Sequence, residues 1–342
     1  MSQSKNAALP DGTELNGYRI VKKIASGGFS IVYLALDETG NRVALKEYLP
    51  GSLAVRIDGE HSPVVLPENV VTFRLGLKCF FEEGRALARI FHPNVVRVLN
   101  FFRANDTVYM VMNYESGKTL QEYILRLKDR GEKQILPENV IRKIFFEVMN
   151  GLREVHTNKM LHLDLKPANI YLKNDGAPML LDFGAARQTI MTEGEKLQPM
   201  YTPGFAAPEL YTKNAILGPW TDIYSIGASM YASMTATPAQ EANARLKNDK
   251  LIKNLDGLKG TYSQELIDLV RWCLELDPLK RPQSVFSLQK ILREQALDLK
   301  QRKQMFGLPY KVKKVLTQFK PIFDRSKFAD KEMVSATDTS AI

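Results

Sequence analysis

The sequence has few of the features that mark disulfide-bonded, zinc-binding or membrane-spanning proteins. Its 342 residues include only two cysteines, Cys79 and Cys273, each among apolar residues at helical spacing, and four histidines without metal-ligand spacing. This pattern favours reduced, buried thiols over a disulfide or a zinc site, as expected of a cytoplasmic protein. No apolar run reaches the roughly 18 residues that a membrane-spanning helix needs.

The excess of positive charge is confined to one stretch near the end of the sequence. The net charge of the chain is +9, and residues 300–328 contain nine Lys/Arg and one acidic residue. The rest is nearly neutral, so the charge does not indicate a nucleic-acid partner. Apolar residues and lysines between Tyr310 and Phe323 resemble a basic amphipathic helix, which predicts peripheral contact with the anionic inner face of a membrane. Alternatively, the apolar stripe packs on the rest of the protein.

The remaining sequence divides into a strand-rich first part and a helical second part. Alternating apolar residues predict strands at 18–24, 31–36, 42–48, 95–102 and 107–114, with one helix in FFEEGRALARIF, residues 80–91. Apolar residues at helical spacing then predict helices at 137–156, 221–235, 263–276 and 284–297. Strands followed by helices are typical of an α+β fold.

A glycine-containing turn, IASGGFSIVY, lies between the first two predicted strands. Glycine lets backbone N–H groups approach a phosphate because no Cβ intervenes. Measured against the phosphate-binding pattern G-x-G-x-x-G, the three glycine positions hold Ala25, Gly27 and Ser30, so only the middle glycine is present. Taken alone, this turn is a weak indication, because an ordinary hairpin turn would look the same.

The next predicted strand contains VALKEY, which places Lys46 inside an apolar run. A buried ammonium group needs an acidic or phosphate partner, and Glu83 on the following helix is placed to supply one. A long segment, residues 49–76, separates the two, with a hairpin predicted around residues 57–59. This segment is either an added surface or a means of steering the helix that carries Glu83.

The middle of the sequence contains four side chains suited to phosphoryl transfer. HLDLKPAN, residues 162–169, is followed by LDFG at 181–184 and APE at 207–209. Of the two carboxylates, Asp164 can accept a hydroxyl proton, while Asp182 and the amide oxygen of Asn169 can hold Mg²⁺. Lys166 beside the base can neutralise the transferring phosphoryl group.

These motifs resemble those of eukaryotic-like (Hanks-type) Ser/Thr protein kinases of bacteria, over residues 18–297. The resemblance implies a bilobal α+β fold, with an antiparallel sheet and one helix at 18–113 and a mainly helical lobe at 114–297. Residues 1–17 and 298–342 would be a flank and a basic extension. The implied activity is Mg²⁺- and ATP-dependent phosphorylation of Ser/Thr hydroxyls on protein substrates.

The resemblance also implies a role for each matching residue. Asp164 would be the base, Lys166 would contact the γ-phosphate, and Asn169 and Asp182 would hold magnesium. ATP would be bound by Ile24, Ala25, Gly27, Gly28, Val32, Ala44, Lys46, Glu83, Met112, Asn113, Tyr114, Glu115 and Tyr171. Of these, Lys46 would pair with Glu83, Met112 would be the gatekeeper, residues 113–115 the hinge, and Tyr171 the floor under adenine. Outside the nucleotide site, Thr202 would contact the base and its lysine, Asp222 would hold the catalytic loop, and Glu209 would pair with Arg281.

The main departure from the family pattern is Leu163, where many kinases have an arginine that binds a phosphate on the activation segment. Leucine cannot bind a phosphate. The four chemical residues remain, which predicts an active enzyme that does not depend on phosphorylation of Thr189 or Thr192. Alternatively, Leu163 is only a packing residue. A pseudokinase scaffold and a small-molecule kinase are the other functions that remain open.

Overall fold

The computed structural model describes residues 6–131, 135–183 and 201–293. Its first part is a six-stranded antiparallel sheet with the strand order β1-β2-β3-β4-β8-β7. The strands are β1 (Glu14–Leu15), β2 (Tyr18–Ser26), β3 (Ser30–Leu36), β4 (Arg42–Tyr48), β7 (Val98–Ala104) and β8 (Thr107–Asn113). Strand β4 lies between β3 and β8, so Lys46 sits in the middle of the sheet.

The segment between β4 and the next helix forms a small hairpin, as the sequence predicts. Its strands are β5 (Ala54–Val55) and β6 (Val64–Val65), which pair antiparallel. Helix α1 then spans Val70–Leu87, so it begins ten residues before the predicted start at Phe80. Buried Phe73, Gly76 and Phe80 extend its apolar face towards the N-terminus, and this packing accounts for the longer helix.

Strand β7 begins at Val98 and not at the predicted Val95. Residues 94–96 instead pair with the second lobe: the Leu180 N–H donates to the Asn94 carbonyl at 2.8 Å, and the Val96 N–H donates to the Leu180 carbonyl at 3.0 Å. The apolar pattern of this segment therefore reflects burial between the lobes, not membership of the first sheet.

The second lobe is mainly helical, around a fully buried central helix. A small sheet of β9 (Gly117–Thr119), β10 (Ile170–Lys173) and β11 (Pro178–Leu180) lies next to the first lobe. The helices are α2 (Leu120–Asp129), α3 (Glu138–Thr157), α4 (Pro219–Thr235), α5 (Ala242–Lys247), α6 (Leu251–Asp256), α7 (Gln264–Cys273) and α8 (residues 285–293). Helix α4 is buried on all sides and forms the core of this lobe.

This architecture confirms the predicted bilobal α+β fold. Several boundaries differ slightly from the prediction; for example, α7 ends at Cys273 and not at Leu276, and β2 continues to Ser26. The helices α2, α5 and α6 were not predicted. Within the described ranges, no helix is both long and apolar enough to cross a membrane. The basic stretch at 300–328, with Thr189 and Thr192, lies outside the described residues.

Candidate active site

The catalytic loop is anchored by a buried carboxylate on the central helix. Asp222 accepts hydrogen bonds from the backbone N–H groups of His162 and Leu163, at 2.9 and 2.8 Å, and its Oδ2 lies 2.8 Å from His156 Nε2. Burial alone would raise the pKa of Asp222, but these hydrogen bonds hold the pKa below its usual value. Asp222 therefore stays ionised and holds the loop, as the resemblance implies.

Leu163 has a left-handed backbone, with φ of +63°. A leucine in this region is strained by about 1–3 kcal/mol and persists only where its surroundings enforce it. The hydrogen bond from its N–H to Asp222 is one such restraint. The position therefore has a backbone role, made by its N–H group, that does not involve the side chain.

Three polar side chains, those of Lys166, Thr202 and Asn169, meet around the carboxylate of Asp164. Lys166 Nζ lies 3.1 and 3.0 Å from its two oxygens. The Thr202 hydroxyl donates to Oδ1 at 2.9 Å and accepts from Lys166 Nζ at 2.7 Å. Asn169 Nδ2 donates to Oδ2 at 3.0 Å and to the Asp164 carbonyl at 2.8 Å. The cluster holds one buried carboxylate beside one ammonium group, which is the arrangement that general base catalysis with phosphate neutralisation needs.

Asp182 lies beside this cluster at the end of the β10–β11 hairpin. Its φ is +51°, and its carbonyl is 3.4 Å from Asn169 Nδ2. The next residue, Phe183, is buried, and its ring stacks on His162 with centroids 4.5 Å apart. This packing fixes the turn so that the Asp182 carboxylate points back towards the first lobe, where Lys46 Nζ contacts it.

The carboxylate partner of Lys46 differs from the prediction. Lys46 Nζ is 2.6 Å from Asp182 Oδ1, and no ion pair joins Lys46 to Glu83 among the described residues. Glu83 is buried on α1. The predicted Lys46–Glu83 pair is therefore not formed in this conformation. The physical reason is that Asp182 already supplies the anionic partner a nearly buried ammonium group requires.

The two predicted magnesium ligands are neighbours, because Asn169 Nδ2 lies 3.4 Å from the backbone carbonyl of Asp182. The Asn169 amide nitrogen donates to Asp164, and the amide oxygen of Asn169 is the atom that can bind a metal ion. The Asp182 carboxylate is about one-third exposed. Carboxylate and amide oxygens are hard ligands that suit Mg²⁺, which commonly takes one or two protein ligands and completes its shell with water and phosphate oxygens. The residues present therefore fit a magnesium ion.

The glycine-containing turn is an open loop between β2 and β3. Ile24, Ala25, Gly27 and Gly28 are all exposed, and the Gly27 N–H donates to the Ser30 carbonyl at 2.9 Å. Neither Ala25 nor Ser30 has a positive φ, so these substitutions for glycine cause no backbone strain. Beyond the turn, Val32 is paired with Lys46 across β3 and β4, and Ala44 is paired with Met112 across β4 and β8.

The segment that joins the lobes follows β8. Met112 is buried in that strand, Asn113 ends it, and Tyr114 and Glu115 are half-buried in the connection. Tyr171 on β10 donates its hydroxyl to the Glu115 carbonyl at 3.1 Å. Burial raises the pKa of Tyr171 to about 12, so the hydroxyl remains a donor at neutral pH. Tyr171 thus links the connecting segment to the second lobe.

The predicted ion pair between Glu209 and Arg281 is present. Both guanidinium Nη atoms contact the carboxylate, at 2.8 and 2.9 Å, and the Arg281 side chain is fully buried. This pair joins the segment after Thr202 to the loop that follows α7.

The sequence interpretation missed one buried charged pair, Glu47 with Arg56. Their side chains are completely buried, with Nη1 and Oε1 2.5 Å apart. The sequence did contain a signal for this pair. Glu47 follows Lys46 in an apolar strand, and Arg56 lies in the apolar run SLAVRI, so each charge could be expected to need a partner. Gly184, the last residue of LDFG, lies outside the described residues.

Comparisons with known proteins agree with this geometry. The protein kinase domain family model matches residues 18–295. A solved structure described as the apo form of PpkA-294 is 34% identical, with a TM-score of 0.76, over 84% of this chain and 100% of its own. The kinase domain of Mycobacterium tuberculosis PknI, at 23% identity and a TM-score of 0.63, shares the fold over 84% of this chain and 100% of its own.

Among curated proteins, the mouse serine/threonine-protein kinase Nek3 is 28% identical over 273 residues, or 78% of this chain and 48% of its own length. This chain spans about half the length of the curated relatives it matches. The chain therefore belongs to the protein kinase domain family and fits its eukaryotic-like bacterial Ser/Thr branch, as its motifs predict.

Proposed function

We propose that this protein transfers the γ-phosphoryl group of ATP to serine or threonine hydroxyls of protein substrates. The observation that carries the proposal is the cluster of Asp164, Lys166, Thr202 and Asn169 beside Asp182. Lys166, two residues after the base, favours hydroxyls of Ser/Thr over Tyr. A pseudokinase would need no such cluster. The match to the protein kinase domain family favours a protein kinase over a small-molecule kinase.

In the proposed reaction, Asp164 accepts the proton of the attacking hydroxyl as the new O–P bond forms. The bond between the γ-phosphorus and its bridging oxygen breaks, and ADP leaves with the bond's electron pair. Lys166 neutralises the negative charge on the transferring group. The Thr202 hydroxyl, bonded to both side chains, fixes the separation of base and lysine.

The proposed nucleotide site lies between the lobes. The adenine would lie between Val32 and Ala44 of the first lobe and Tyr171 of the second, next to Met112 and the connecting residues Asn113, Tyr114 and Glu115. Ile24, Ala25, Gly27 and Gly28 would cover the phosphates, which Lys46 would contact. Asn169 and Asp182 would hold magnesium, which when bound neutralises phosphate charge. Glu83 would be the second carboxylate within the reach of Lys46 when the nucleotide is bound.

A Lys46→Met variant is expected to lose phosphoryl transfer by about 10²–10³-fold, because one preorganised cation at the phosphates is removed. The assay is transfer of labelled phosphate from ATP to a generic basic protein with magnesium, followed by identification of the labelled amino acid. Lys22→Met, an exposed lysine of β2, is the matched control and should retain activity. Nucleotide binding by the unaltered protein without transfer would contradict the proposed function in favour of a scaffold.

The basic stretch is proposed to make a peripheral contact with an anionic membrane surface. The net charge of +8 at 300–328 supports this, since each lysine or arginine near such a surface contributes about 1 kcal/mol. The full chain is expected to sediment with acidic liposomes at low salt and to be released at high salt. A chain that ends at Leu299 should remain in the supernatant. If both chains stay in the supernatant and the truncated chain melts at a lower temperature, the stretch packs on the protein instead.

A further inference from the structure

The buried pair of Glu47 and Arg56 lies on the sheet face opposite to that of Lys46. Arg56 contacts both carboxylate oxygens of Glu47, at 2.5 and 2.8 Å, and the hydroxyls of Tyr33 and Tyr109 donate to the same oxygens at 2.8 and 2.7 Å. Burial, together with the charge of Glu47, raises the pKa of both tyrosines well above their usual value. The hydroxyls therefore remain donors, and the carboxylate has a full set of partners.

This pair fastens two segments outside the sheet to β4. Arg56 Nε donates to the Ala7 carbonyl at 2.9 Å, and the Arg56 N–H donates to the Asn6 side chain at 2.8 Å. The Asn6 side-chain nitrogen in turn donates to the Ala54 carbonyl at 3.2 Å. We call residues 6–9 and 49–56 together the brace. The completely buried guanidinium group donates five hydrogen bonds to four residues, Glu47, Tyr33, Ala7 and His61, and this network gives the brace a fixed position relative to the sheet.

The brace reaches the tip of the glycine-containing turn. The Leu49 N–H donates to the Phe29 carbonyl at 2.8 Å, and the Gly51 N–H donates to the Gly28 carbonyl at 2.9 Å. Gly28 is otherwise exposed, and a Cβ added there would meet no atom within 4 Å. The hydrogen bond from Gly51 therefore connects an open loop tip to a rigidly held part of the first lobe.

We infer that the brace is a positioning element for nucleotide binding, with the Gly51 N–H holding the glycine-containing turn over the phosphates. The inference rests on the proposed nucleotide site. A flexible loop loses conformational entropy when it closes on a ligand, and holding one end of it in place lowers that cost.

Two substitutions at position 51 separate this role from a general effect on folding. Gly51→Pro removes the N–H donor, whereas Gly51→Ala keeps it. An alanine Cβ would meet the Asn6 side chain at 3.7 Å and the Gly28 carbonyl at 3.9 Å, which are ordinary contacts. Gly51 does not have a positive φ, and it follows the turn-initiating Pro50, whose carbonyl accepts from the N–H groups of Leu53 and Ala54. Proline is compatible with such a turn position.

Gly51→Pro is expected to weaken binding of a non-hydrolysable ATP analogue with magnesium by about three- to tenfold, the effect of one lost hydrogen bond. The KM for ATP should rise by the same factor, with kcat at saturating ATP unchanged. Gly51→Ala should match the unaltered protein. A fall in kcat with an unchanged KM would overturn the inference, as would equal analogue binding by the two variants.

The unaltered protein serves as the reference for the proposed function itself. If it does not bind the analogue, the nucleotide site is wrong; if it binds and only the Gly51→Pro effect is absent, the brace inference alone is wrong. If Gly51→Pro fails to fold, the Asn6→Ala variant tests the brace inference instead. It removes the two hydrogen bonds that Asn6 makes with Ala54 and Arg56, and it leaves the pair of Glu47 and Arg56 in place. That variant is expected to bind the analogue about threefold more weakly, and unchanged binding would overturn the inference.

Discussion

Replacement of Asp164 by asparagine is expected to lower phosphoryl transfer by about 10²–10⁴-fold, the range for loss of a positioned general base. An amide cannot take the hydroxyl proton, yet it is nearly the same size as the carboxylate. Its oxygen can still accept from Asn169, and its NH2 group can donate to the Thr202 hydroxyl. The nucleotide pocket would therefore remain formed. The measurement is kcat for protein phosphorylation, with the affinity for an ATP analogue determined in parallel.

Asp129→Asn is the matched control for this variant. Asp129 is exposed at the end of α2, so the same chemical change there should leave both kcat and nucleotide affinity unaltered. Retention of most of the kinase activity by Asp164→Asn would refute Asp164 as the base. Loss of nucleotide affinity in proportion to activity would instead assign Asp164 to binding.

Replacement of Asp222 by alanine is expected to lower the free energy of unfolding by about 2–6 kcal/mol. The change leaves the buried N–H groups of His162 and Leu163 without their acceptor, and each such group costs about 1–3 kcal/mol. It also removes a restraint on the left-handed backbone of Leu163. Thermal unfolding should show a melting temperature lower by at least about 4 °C, since each kcal/mol corresponds to about 2–4 °C in a domain of this size.

Asp222→Asn gives a graded comparison, because its amide oxygen still accepts one of the two backbone hydrogen bonds. It should fall between the unaltered protein and the alanine variant in melting temperature and in kcat. If the Asp222→Ala variant has the same melting temperature as the unaltered protein, the catalytic loop holds its conformation by other means. In that case the strain at Leu163 is supported by packing and not by this carboxylate.

The catalytic cluster, apart from Thr202, was predictable because its members are close in sequence. Asp164, Lys166 and Asn169 lie in one loop, and only the β10–β11 hairpin separates that loop from Asp182. An antiparallel hairpin returns the chain to its starting point, so residues at its two ends must meet. The long-range contacts of Asp222 and of Glu209 with Arg281 were available only through resemblance to a family, because spacing along the chain gives no distance between such residues.

The partner of Lys46 could not be predicted in the same way. The sequence offers two acidic residues, Glu83 and Asp182, and burial of the ammonium group requires one without choosing between them. The choice depends on where α1 lies relative to the sheet. Tyr48 packs against Phe73 and Phe80 of that helix, with ring centroids 5.4 and 5.6 Å apart. Apolar packing is non-directional, so the sequence does not show where the helix lies against the sheet.

The sequence by itself determined that a strand-rich part precedes a helical part, the α+β class and the catalytic residues of the loop at 162–169, because periodicity and short motifs are local properties of a chain. Tertiary structure alone decided that Lys46 pairs with Asp182, that α1 begins at Val70, and that Glu47 and Arg56 fasten the brace to β4 while Gly51 connects it to the glycine-containing turn. Those features depend on which segments pack against one another, and the energy that selects them is summed over contacts distant in sequence.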